Sequence, residues 1–237
     1  MSRNFLHILI VILVMTANLS AGSMLEIPNN KFDFGYTAQN STLVHSFWFH
    51  STGDDTLRIS EIKTGCSCTL MPLEKKWIAP GDSMNVEVTW EIKRKLGHSG
   101  KYPYVYTNAQ EDPFRIGLDT RVFNKFDDVS DLYVIKPYKV ELAKIANKNI
   151  DSVEIKFISK YDFDLQIVLI DSNVDECELH IPEILVANDT VLGNVIIKNE
   201  YKDKEFIGSF TIGFSDKKQT RITIPVRRKI YNLSSDK

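Results

Sequence analysis

The sequence predicts an all-β fold, and three observations carry that expectation. Apolar and polar residues alternate along short runs such as Phe47 and Phe49, Leu57 and Ile59, Val86, Val88 and Trp90, and Phe114, Ile116 and Leu118. Alternation of that kind buries one face of an antiparallel strand and wets the other. No long run has helical period. The chain also matches itself: Phe47 and Ile155, Phe49 and Phe157, Leu57 and Leu165, Gly100 and Gly208, and Phe114 and Ile222 are each 108 positions apart. Only the Val86 strand departs, its counterpart Val195 standing one position further on. A constant separation over five features predicts a tandem duplication. Each repeat has roughly 100 residues, the size of an immunoglobulin-like antiparallel sandwich.

The chain opens with a weakly basic start at Arg3 and an apolar run over 5–15, which gives way to Ser20, Ala21 and Gly22. This is the pattern of a signal peptide, assigned to 1–22. The run is too short to span a bilayer and none like it follows, so the mature chain is expected to carry no transmembrane segment and to be periplasmic or secreted. The first cysteine is Cys66, so no cysteine stands at the cleavage point to take a lipid. The formal net charge is -2, from 29 Lys and Arg against 31 Asp and Glu, which gives no overall field towards nucleic acid.

The first sandwich is assigned to 25–122 and the second to 131–231. The boundary falls at 124–130, where apolar alternation lapses around Lys125, Asp127 and Asp128. Tyr102, Tyr104 and Tyr106 admit two readings, an exposed aromatic ladder for glycans or part of a core. The separation of 108 sets them opposite Phe210, Ile212 and Phe214, which favours the core.

One short motif has a chemical meaning. Cys66 and Cys68 flank Ser67 between the Leu57 strand and a turn at Pro80, Gly81 and Asp82. Cysteines two apart in an exported chain can close a bridge, remain an inert pair, hold a soft ion such as copper(I) as a metal site, or exchange with other thiols. Cys177 is the odd thiol. His45, His50, His98 and His180 have no ligand-like spacing to the pair. His45 shares the parity of Phe47, which predicts partial burial, and His50 has the opposite parity. The second repeat has Val174 and Glu176 at the matching positions, so whatever the pair does is confined to the first. There is no phosphate loop, nucleophile elbow or His-Glu-x-x-His. Asp54 with Asp55, and Asp127 with Asp128, read as turn residues. Arg227, Arg228 and Lys229 read as a solvated strand end.

Four stretches in the first repeat carry a resemblance: Phe32-Asp33-Phe34-Gly35, Phe47-Trp48-Phe49 leading to Thr52-Gly53-Asp54, Gly65-Cys66-Ser67-Cys68-Thr69, and Ala79-Pro80-Gly81. In order and spacing they resemble the secreted bacterial family called domain of unknown function 1573. That resemblance implies a relative of the ASH/Hydin-type immunoglobulin-like domains, and covers roughly 26–122. Ser67 stands where the family pattern has glycine, and Ser51 where it has asparagine. The resemblance implies a fold and a compartment, and no activity.

The expected function is an exported, non-catalytic cell-envelope interaction or structural module whose partner is an envelope protein or a polysaccharide, with no resident cofactor. A copper or thiol-redox role at Cys66 and Cys68 is the alternative. A pilus-chaperone-like role is a further one, in which Phe114, Ile116 and Leu118 would be the strand lent to a client.

Overall fold

The computed structural model describes residues 22–94, 96–124, 129, 133–145 and 148–231. The expected signal peptide, Asp127, Asp128 and most of the 124–130 boundary lie outside these residues. In the first half the strands are β1 (Leu25–Glu26), β2 (Lys31–Ala38), β3 (Ser41–Ser51), β4 (Leu57–Lys63), β5 (Thr69–Leu70), β6 (Trp77–Ile78), β7 (Ser83–Ile92), β8 (Gly97–Lys101), β9 (Tyr104–Thr107), β10 (Phe114–Arg115) and β11 (Gly117–Phe123). The second half has β12 (Tyr133–Lys136), β13 (Val140–Ile145), β14 (Lys148–Ile150), β15 (Ser152–Ser159), β16 (Leu165–Asn173), β17 (Cys177–His180), β18 (Ile184–Leu185), β19 (Thr190–Ile197), β20 (Phe206–Phe214) and β21 (Arg221–Tyr231).

The fold is all-β, and its two halves are built alike. One sheet of the first half runs β1-β3-β7-β5, and its counterpart runs β12-β15-β19-β17. Phe49 in β3 and Phe157 in β15 hold the same place and are both fully buried. The partner strands slide slightly, since Phe47 faces Val86 while Ile155 faces Gly193, with Val195 across from Val153. Two hydrophobic clusters form accordingly. One gathers Phe34, Phe47, Phe49, Trp90 and Leu118; the other gathers Tyr133, Phe157, Phe210, Ile224 and Val226. Each such side chain contributes about 1.5–3 kcal/mol on burial.

The opposite sheets are joined across the two halves. A nine-stranded sheet runs β18-β16-β20-β21-β2-β11-β8, with β13 and β14 branching from β21, and passes from the second sandwich into the first where Tyr36 of β2 pairs in parallel with Ile222 of β21. The farther part of β21 pairs with β13, so β2 takes the place beside its first residues. Gly35 makes this approach possible: its φ is +64°, and a Cβ there would lie 2.2 Å from the Arg221 carbonyl oxygen. In the first half the strand equivalent to β20 is interrupted at Tyr102 and Pro103. It leaves β8 on β11 and β9 between β4 and β10, in a separate four-stranded sheet ordered β10-β9-β4-β6.

Candidate functional site

The Cys-x-Cys loop begins where β4 ends. Thr64 and Gly65, the latter at φ +77°, turn the chain away from the sheet, and β5 rejoins β7 with Thr69 opposite Trp90. Between them the sulfurs of Cys66 and Cys68 are bonded at 2.19 Å, with Cα atoms 5.3 Å apart. Both residues are partly exposed. The Thr69 hydroxyl lies 3.5 Å from the Cys66 sulfur and 3.8 Å from that of Cys68. Ser67 in place of glycine does not hinder closure. Joined in this way, the sulfurs offer no thiolate pair to a soft metal. Among the described residues no group of three or more His, Cys, Asp or Glu is placed to hold an ion.

The histidines stand apart from the loop. His45 stacks on Phe32 at 3.7 Å and bonds through Nδ1 to Asp171 Oδ2 at 2.8 Å, which ties β3 to β16. His50 bonds to Ser83. His180 approaches Glu178. Cys177 is buried in the second core, and burial, with Glu176 nearby, pushes its thiol up to about 12. Asp54 and Asp55 are turn residues, accepting the Gly22 and Thr56 backbone N–H groups.

Two expectations need correction. Arg228 does not end in solvent: its side chain is fully buried, donates to the Lys202 carbonyl at 3.0 and 2.6 Å, and lies 3.0 Å from Asp151. It sits opposite Phe206 in a long strand whose sequence-based end was placed too early. The second correction concerns the tyrosines. Tyr102 and Tyr104 are 42% and 40% exposed, Tyr106 is half-buried, and Val105 between them is fully buried. Pairing explains the reversal. Thr107 stands across from Ile59 and Phe214 across from Ile167, so along this strand the two halves match at a separation one residue shorter than elsewhere. Val105 is thus the counterpart of Ile212, and the tyrosines face out. Pro103 and Val105, alternating with the tyrosines, were the signal that could have shown it.

The outward rings lead into a cleft of about 640 Å³ at the junction of the two halves. Its walls come from β2, β8, β11 and the approach to β21: Asp33, Tyr36, His98, Tyr102, Asp119 and Arg121 on one side, Lys218 and Arg221 on the other. Arg121 donates to the Tyr36 hydroxyl at 3.1 Å and lies 5.5 Å from that ring's centre. Arg115 lies 4.0 Å from the centre of Tyr102, and the ammonium of Lys63 lies 4.7 Å from that of Tyr106. Cations at these distances are attracted by the ring faces. His98 pairs with Asp119 at 3.1 Å. Arrayed side by side, such groups can grip a polar ligand through stacking and charge.

Residues 25–122 match the model of a family described as a protein of unknown function, DUF1573. The first sandwich thus carries this family's pattern from end to end, as its motifs implied. No curated protein matches. Among solved structures, a protein of unknown function from Porphyromonas gingivalis W83 is similar at 8% identity and a TM-score of 0.38, over 86% of this chain and 99% of that one. The ASH/PapD-like domain 7 of human CEP192 is similar at 11% identity and a TM-score of 0.38, over 44% of this chain and 89% of that one. WR4, a member of the MSP family of C. elegans, is similar at 7% identity and a TM-score of 0.30, over 43% and 99%.

Proposed function

We propose that this chain, whose first half matches a family of unknown function, is an exported, non-catalytic interaction module of the cell envelope. Its two domains span 25–122 and 131–231, and it binds through the cleft and tyrosine strip at their junction. The observation that carries this reading is the outward strip of Tyr102, Tyr104 and Tyr106, which runs from the separate β9 sheet up to Tyr36 and Arg121 on the sheet shared by both halves. Large rings held in water without a covering segment contribute little to stability and are suited to recognition. Export is supported by the apolar run over 5–15 and by a cysteine pair joined as an oxidising compartment would join it. Crosslinking in intact cells tests the proposal: the native protein should recover a specific envelope component, and Tyr102→Ala with Tyr104→Ala should lose it. Equal recovery by both forms would defeat it.

A second reading, thiol exchange or copper binding after reduction, is favoured by the partial exposure of Cys66 and Cys68. Its test is metal analysis and thiol reactivity of reduced protein, where inert, metal-free thiols would remove it. The chaperone reading loses its lent strand, because β11 is paired on both edges and Ile116 and Leu118 are fully buried.

A further inference from the structure

We infer that the junction cleft takes a carboxylate-bearing polysaccharide of the uronic-acid type; the inference rests on the interaction reading above and names its ligand. Charge is the first argument. Arg121, Lys218 and Arg221 all line the cleft, and none has a carboxylate partner among the described residues. The two acids are less available: Asp119 is held by His98 at 3.1 Å, and one oxygen of Asp33 accepts the Gly35 N–H at 2.8 Å. The surplus is positive, in a protein whose formal net charge is -2. Guanidinium groups hold carboxylates through paired hydrogen bonds, so an acidic ligand is the natural complement.

The rings supply the second argument. Tyr36 and Tyr102 lie in the cleft itself, and Tyr104 and Tyr106 continue the row along the strand, every second residue about 7 Å from the last. A row of exposed and half-exposed rings, three of them with a cation beside the ring, suits a long ligand that offers flat C–H faces and charge at intervals. It suits an apolar small molecule poorly, since such ligands need mainly apolar walls.

Backbone pairing at the cleft floor bears on the choice between a saccharide and an acidic peptide, which the polyglutamate comparison below decides. An extended peptide binds most simply by joining an open strand edge. At its centre the cleft floor offers none, β11 being flanked by β2 and β8; the open edges lie at its rim, on β8 and on β2 before Tyr36. What the floor leaves to a ligand is ring faces, hydroxyls and cations.

The experiment is a calorimetric titration of the purified protein with oligogalacturonate and with alginate fragments. A neutral oligosaccharide of equal length, a polyglutamate peptide and single-stranded DNA serve as comparisons. Binding of at least one uronate probe is expected, weakening as salt is raised, with the three comparison ligands at least about tenfold weaker. Arg221→Ala, Lys218→Ala and Tyr102→Ala should each weaken that binding about tenfold or more, with unfolding midpoints unchanged because all three side chains are exposed. No uronate binding, equal binding of polyglutamate or DNA, or binding untouched by the three variants would overturn the inference. If uronates fail while Tyr102→Ala with Tyr104→Ala still abolishes capture in cells, the ligand class is wrong and the interaction reading stands. If uronates bind as expected while capture is insensitive to the tyrosines, the reverse holds.

Discussion

Ser209 and Thr223 hold the two halves together through hydroxyls, and their removal is the sharpest test of the joint architecture. Ser209 Oγ accepts the Val44 N–H at 2.9 Å and donates to the Val44 carbonyl at 2.9 Å, while Thr223 Oγ1 donates to the Phe34 carbonyl at 2.6 Å. Val44 and Phe34 are buried, so Ser209→Ala strands a donor and an acceptor at the joint, and Thr223→Val strands the Phe34 carbonyl there and also takes a partner from the Thr211 hydroxyl within the second half. An unsatisfied buried group costs about 1–3 kcal/mol, so the three groups stranded at the joint should cost the double variant at least about 3 kcal/mol, most of it from coupling between the halves. Each half has its own probe. The three tryptophans, Trp48, Trp77 and Trp90, lie in the first, and buried Cys177 lies in the second. In urea, tryptophan fluorescence and Cys177 alkylation should report one shared transition for the native protein and two separated transitions for the double variant. A loss below about 0.5 kcal/mol with coincident transitions would refute the claim that these hydroxyls couple the halves.

Gly35→Ala should destabilise by at least about 2 kcal/mol and separate the same two transitions, because the new methyl meets the Arg221 carbonyl at 2.2 Å in a left-handed backbone; an unchanged midpoint would contradict the close approach. Arg228→Ala, which leaves Asp151 with only the more distant Lys202 ammonium and the Lys202 carbonyl without its donor, should cost about 3–5 kcal/mol by chemical denaturation, against an expected effect near zero for the exposed Lys229→Ala. Thiol counting in denaturant should find one free thiol before reduction and three after, and three from the outset would show that Cys66 and Cys68 are unbridged. The Cys177 thiol holds its proton up to about 12 when folded and releases it near 8.5 when unfolded. Its contribution to stability is therefore complete below pH 8.5 and lost as pH rises towards 12, and native alkylation at pH 8 should be far slower than in urea.

The sandwiches were legible because their signal is written in inward-facing residues, and Phe47, Phe49, Ile155 and Phe157 could not alternate so regularly and serve another fold. The bonded pair at Cys66 and Cys68 was one of several outcomes the spacing allowed. The junction was not legible. Ser209, Thr211 and Thr223 read as the wet face of strands, and only the arrangement of the two halves buries them. Arg228 failed for a similar reason, since a buried arginine depends on Lys202 and Asp151, which reach it from loops and edges that alternation does not encode.

The misplaced tyrosines explain how a duplicated fold acquires a site. Along the strand that the first half splits into β8 and β9, pairing makes Tyr102 the counterpart of Ser209, and Tyr104 that of Thr211. These positions correspond by pairing, although β9 belongs to a separate sheet while β20 belongs to the nine-stranded one. In the second half their face carries small hydroxyl residues and is pressed against Val44 and Phe34 of the first, where a tyrosine in place of Ser209 would have no room. In the first half the small residues are replaced by partly exposed rings, with Arg115 and Lys63 against two of them. One copy of the face is an intramolecular joint, and the other carries the tyrosines of the proposed site. The joint holds Arg221 and Lys218 opposite Tyr36 and Tyr102, so the second half supplies one wall of the cleft and the first half the other.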